Sequence, residues 1–163
     1  PGQAGIKTLS EAMHGAHASR MNAIQIDNAC YACHPGLRTQ CLRDVHATAG
    51  MTCEDCHGTM TDVGSPGRKP WVDLPRCGSC HTRPGFEFEQ PGVRYRDSYG
   101  HMGVQCFACH GSPHAITPTS KPNDNLQAIR LQGQGGPIGS VTCTVCHTER
   151  PDDQFPHNSR GDD

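Results

Sequence analysis

Large apolar side chains are scarce in this chain. Leu, Ile, Val and Phe together number 23 of 163 residues, about 14%, where chains that fold on side chains alone carry roughly 20% or more. There is one Trp. A sizeable conventional core is therefore excluded, and something other than apolar side chains must fill the interior. The shortage is not that of a charged disordered chain either, because 14 Lys and Arg face 16 Asp and Glu for a net charge of −2. No apolar run reaches the roughly 18 residues of a membrane span. No basic cluster favours nucleic acid. The opening Pro1-Gly2-Gln3-Ala4-Gly5 has no basic region leading into an apolar stretch, so these residues are not expected to be a signal peptide. Gly133, Gly135, Gly136 and Gly139 are not followed by the Lys-Ser/Thr of a phosphate loop. No Ser/His/Asp set or carboxylate pair stands out as catalytic.

Cysteine and histidine are abundant instead, at 11 residues each. Ten cysteines form five C-x-x-C pairs, and histidine follows every pair: Cys30-Cys33-His34, Cys53-Cys56-His57, Cys77-Cys80-His81, Cys106-Cys109-His110 and Cys143-Cys146-His147. Zinc sites use C-x-x-C pairs without requiring His next to each. A thioredoxin-like site needs one pair. A disulfide scaffold has no use for the histidines. C-x-x-C-H is the attachment motif of c-type haem, in which two thiols form thioethers to the vinyl groups and the adjacent His binds iron from the proximal side. Five motifs predict five covalent haems. Their porphyrins supply the missing apolar interior, and without them the chain is expected to be largely unfolded.

These motifs resemble those of multihaem c-type cytochromes. Residues 30–46 (CYACHPGLRTQCLRDVH) and 99–114 (YGHMGVQCFACHGSPH) resemble segments of periplasmic and outer-surface cytochromes of metal-reducing bacteria. The resemblance implies a mostly irregular fold with short α-helices and little or no β, built around a stacked haem chain. It also implies bis-histidine, low-spin iron.

Six histidines remain as distal candidates for five irons: His14, His17, His46, His101, His114 and His157. His46 precedes Cys53 by seven residues and His101 precedes Cys106 by five, spacings that recur for distal ligands in the resembled family. His114 lies too close to His110 to reach round its own haem, so it is expected on a neighbouring one. His157 stands in a tail with little else to justify it. Thr8-Leu9-Ser10-Glu11 matches a capping box and predicts a helix over 9–21 that carries His14 and His17 on one face. One of those two is expected to be spare, bonding a propionate or reaching a neighbouring subunit's haem. Met13, Met21, Met51, Met60 and Met102 are read as apolar filling rather than ligands. Trp71 is expected against a porphyrin plate. Cys41 lacks a following His and is read as a buried inert thiol, with an intermolecular disulfide as the alternative.

The length suits one domain of residues 1–163, or two small ones. Haem units start at 30, 53, 77, 106 and 143, each motif on a short helical turn, with Pro/Gly loops between. Residues 86–89 alternate and are expected to pair as a short strand with 93–95. Asn123-Asp124-Asn125 is expected to cap a helix over 126–132.

The expected function is electron transfer through the haems, with redox proteins or extracellular acceptors as partners, as a periplasmic or surface shuttle or as a subunit of an extracellular filament. The competing class is a small-anion or nitrogen-oxide reductase with one open haem. It is disfavoured because the catalytic haem of the resembled nitrite reductases uses C-x-x-C-K, whereas all five motifs here end in His. Covalent haem attachment implies export, to the periplasm or the outer surface.

Overall fold

The computed structural model describes residues 3–21, 23–24, 26–36, 38–82, 89–90, 92–132, 143–152 and 157. In chain order the helices are α1 (Leu9–Met21), α2 (Val45–Thr48), α3 (Cys53–His57), α4 (Met60–Val63), α5 (Cys106–His110) and α6 (Pro122–Gln132). The strands are β1 (Tyr99–Gly100), β2 (Val104–Gln105), β3 (Gly111–Ser112) and β4 (Ala115–Ile116). They form two minimal antiparallel pairs, β1 with β2 and β3 with β4. The protein is mostly irregular, with short helices and little strand. Its contacts group into two units, one of residues 1–41 and 51–75, the other of residues 42–50 and 76–163.

All five motifs sit on helical turns. Those beginning at Cys53 and Cys106 are α-helical, whereas Ala29–Ala32, Cys77–Ser79 and Cys143–Val145 are 3-10 turns. The residue after the histidine separates the two kinds. Gly58 and Gly111 follow His57 and His110 at φ 74° and 84°. Their N–H groups close the last turn onto the carbonyls of Glu54 and Phe107. Pro35 follows His34 and has no N–H to give, while Thr82 and Thr148 carry a Cβ that disfavours positive φ.

In the first unit, α1 spans the expected residues. The Thr8 hydroxyl accepts the Glu11 N–H at 3.1 Å, and the Glu11 carboxylate faces Lys7 at 3.9 Å rather than returning to the cap. Helix α1 packs on α4. Where they meet, a Cβ on Gly64 would lie 2.5 Å from the Gly15 nitrogen and 2.9 Å from its Cα. Only glycine allows that approach, and it carries the α1 turn holding His14. The Gly64→Ala variant is expected to lose about 1–3 kcal/mol to overpacking, measured by thermal unfolding of the haem-loaded protein, while Gly67→Ala, where a Cβ meets nothing within 4 Å, is expected to be neutral.

In the second unit, α6 packs on α5 and β3. Arg43 ties residues 42–50 to α6 through a two-pronged pair with Asp124, whose second contact is 3.1 Å. The arginine holds the Asp124 carboxyl below the usual range. Helix α6 starts four residues before the expected Leu126, because Pro122 fits the first turn, where no donor is needed. Asn125 then bonds back to the Thr119 N–H and carbonyl at 2.8 and 3.1 Å instead of capping. The expected strand at 93–95 is absent: Tyr95–Asp97 is a 3-10 turn, with the Arg94 carbonyl accepting from the Asp97 N–H and the buried Ser98 hydroxyl. Its expected partner residues 86–88 lie outside the described residues.

Among the described residues the buried hydrophobic side chains are Ala18, Ala115 and Ala128. Leu9 and Trp71 are each 79% exposed, and Ile6, Ile24, Val104 and Leu126 are exposed as well. Among the described residues, side chains alone close no apolar core.

Candidate functional site

Among the described residues, the motif histidines His34, His81, His110 and His147 each face a histidine from outside the motifs. In the first unit His14 stacks on His34, ring centroids 5.9 Å apart and planes 6° from parallel. In the second, His46 faces His81 at 6.1 Å, His101 faces His147 at 5.9 Å and His157 faces His110 at 5.7 Å. The Nε2 atoms of His110 and His157 are 3.5 Å apart, too far for a useful hydrogen bond. Two imidazoles on opposite sides of one metal, at about 2.0–2.1 Å per bond, set their nitrogens about 4 Å and their centroids about 6 Å apart. The centroids of all four pairs lie close to that spacing.

The ring orientations are set by the backbone. The Nδ1–H of His14 donates to the Ser10 carbonyl at 2.8 Å, and that of His17 to the Met13 carbonyl at 2.7 Å. A carbonyl only accepts, so each Nδ1 carries the proton and each Nε2 keeps its lone pair. His46 Nδ1 meets the Asp44 carboxylate at 2.9 Å. Asp44 is fully buried, and its other oxygen accepts the Ala47 N–H at 2.9 Å, capping α2. His101 Nδ1 is buried and has no hydrogen-bond partner among the described residues.

Electrostatics agree with neutral imidazoles. Burial, then the neighbouring His157 and His81, lower the His110 pKa to about 4. Burial and then His101 lower that of His157. In the second unit His81 therefore neighbours the His157–His110 pair through His110, and His101 neighbours it through His157. The cysteines are set differently from those of a thiolate metal site. Burial, before any neighbour, pushes the Cys30, Cys106 and Cys109 thiols up, so they stay protonated near neutrality. Adjacent motifs bring thiols together: Cys53 is the leading charged neighbour of Cys30, and Cys146 that of Cys109.

No group of three or more His, Cys, Asp or Glu converges on a metal position among the described residues. Zinc needs three or four protein ligands. A metal held by two opposed imidazoles needs its equatorial plane filled by something else, and a porphyrin fixed by the adjacent thiols fits that requirement.

The remaining site residues fall as follows. His57 ends α3, and His114 occupies the β3–β4 turn, its carbonyl accepting the Arg43 N–H at 3.0 Å. Met102 is 76% exposed. Cys41 is exposed rather than buried, since the turn after Gly36 carries it outward. Two contributors escaped sequence reasoning. Asp44 was visible only as an acidic residue two before a histidine, and Tyr95, whose hydroxyl donates to the Gly111 carbonyl at 3.0 Å, resembles any other tyrosine.

The family described as cytochrome c554 and c-prime matches residues 63–111, a span holding the motifs at Cys77 and Cys106 and the distal candidate His101. The C-type polyheme cytochrome OmcB of Geobacter sulfurreducens, in two strains, is 24% identical over 149 residues, covering 74% of this chain and 20% of that protein. The chain thus spans about a fifth of the length of these curated relatives. No solved structure matches it. No described helix is long and apolar enough to cross a membrane.

Proposed function

This chain is a multihaem c-type cytochrome, a class that implies covalent haem c, and we propose that it conducts electrons along five haems with histidine on both faces of each iron. The observation carrying this reading is the facing of motif and non-motif histidines at a spacing suited to one bridging metal. Cys30 and Cys33, Cys53 and Cys56, Cys77 and Cys80, Cys106 and Cys109, and Cys143 and Cys146 hold the haems. His34, His57, His81, His110 and His147 are the proximal ligands. His14, His46, His101 and His157 are distal ligands to four irons, and His17 and His114 are the two residues left for the fifth. The haem supplies one-electron chemistry at iron. The chain supplies the attachment thiols and pre-aimed ring nitrogens.

Protein-film voltammetry tests the reading: reversible one-electron waves totalling five electrons per chain, with no added substrate, are expected. A catalytic current with nitrite or another small anion would overturn it in favour of a reductase. The fifth ligand is settled by spin state. Of His17→Ala and His114→Ala, one is expected to convert a single haem to high spin and the other to leave the spectrum unchanged.

Covalent attachment outside the cytoplasm places the working protein in the periplasm or on the outer surface, passing electrons to redox proteins or extracellular acceptors. Its finer form is a filament in which the spare histidine meets a haem of the next copy. Electron microscopy of the natively isolated protein distinguishes filaments from discrete shuttles.

A further inference from the structure

Two histidine pairs of the second unit, His46–His81 and His101–His147, differ in what stands behind the distal ring. His46 has a carboxylate on its Nδ1 at 2.9 Å. That carboxylate, Asp44, is fully buried, and its hydrogen bond to the Ala47 N–H holds it in place. The neighbouring cation, Arg43, directs its guanidinium onto Asp124. His101 Nδ1, by contrast, is buried without an acceptor among the described residues. The His157–His110 pair has His81 as a neighbour of His110 and His101 as a neighbour of His157.

An anionic acceptor on Nδ1 pulls the imidazole toward imidazolate and makes its Nε2 a stronger donor. A stronger axial donor stabilises ferric over ferrous iron and lowers the reduction potential. A buried N–H with no acceptor leaves the ring a weaker donor, and the potential stays higher.

Resting on the bis-histidine reading above, we propose that Asp44 is a positioning residue that gives the second unit a direction: it makes the His46–His81 haem the low-potential end, and electrons run from there through the His157–His110 haem to the His101–His147 haem. Each hop takes one electron from a ferrous iron, which becomes ferric, and delivers it to the next ferric iron, which becomes ferrous. No bond forms or breaks.

The test is a redox titration of the haem-loaded protein, resolved haem by haem by NMR, on the wild type, Asp44→Asn and Asp44→Ser. Asn and Ser both keep an N-cap oxygen for Ala47 while removing the anion from His46. In the wild type the His46–His81 haem is expected to titrate below the His101–His147 haem. In both variants it is expected to stay low-spin and shift upward by tenfold or more in its reduction equilibrium, about 59 mV for one electron, while the His101–His147 haem holds its place. Low-spin variants that titrate as the wild type overturn the role of Asp44 and leave the bis-histidine reading intact. A high-spin His46–His81 haem in the wild type overturns both. If neither variant takes up its full haem complement, the wild-type order decides, and a His46–His81 haem at or above the His101–His147 haem overturns the proposal.

Discussion

Alanine at all ten motif cysteines leaves this chain without a stable fold. Ordering each residue costs about 1–2 kcal/mol in backbone entropy alone, and burial of large apolar side chains is the usual compensation. Here the buried hydrophobic residues among those described are three alanines, while Leu9, Trp71, Ile6 and Leu126 remain exposed. Many hydrogen-bonded features are local, such as the cap of α1, the Thr52–Asp55 and Thr59–Asp62 boxes and two-residue strands, and the long-range ones, such as Arg43 with Asp124, are few. Such features bias a chain without folding it. Circular dichroism followed through a urea titration is expected to show coil with no cooperative transition. A sigmoidal transition in the haem-free variant would mean that side chains alone close a core.

His157→Ala opens one iron. Its Nε2 lies 3.5 Å from that of His110 although the two are 47 residues apart in the chain, so the contact is built by the fold. The pair's neighbours His101 and His81 already face His147 and His46. One haem in the protein is expected to become high-spin and to bind carbon monoxide after reduction, the others staying low-spin. Because His81 neighbours His110 and His101 neighbours His157, electron exchange between the haems of His81 and His101 is expected to slow. A propionate-bonding or surface role for His157 would leave the optical and resonance spectra unchanged.

The legibility of this molecule follows the range of its interactions. The C-x-x-C-H motifs and their helical turns are local, since two thiols and an imidazole must reach one porphyrin within five residues. The α1 span was legible for the same reason, through Thr8 and Glu11. The pairing of His14 with His34 and of His157 with His110 was not, because a histidine count says how many ligands exist and nothing about which rings meet. The alternation at 86–89 pointed to a short strand paired with 93–95, but the Arg94 carbonyl drew Asp97 and Ser98 into a turn. Asp44 was passed over because a carboxylate two residues before a histidine is common, and only its complete burial against Nδ1 marks it out.

The account stands most directly on electron paramagnetic resonance of the fully oxidised, haem-loaded protein, with the signals integrated against chain concentration. Five low-spin ferric haems per chain and no high-spin signal are predicted. Fewer than five haems, or a high-spin component in the unmodified protein, would contradict a bis-histidine electron conduit.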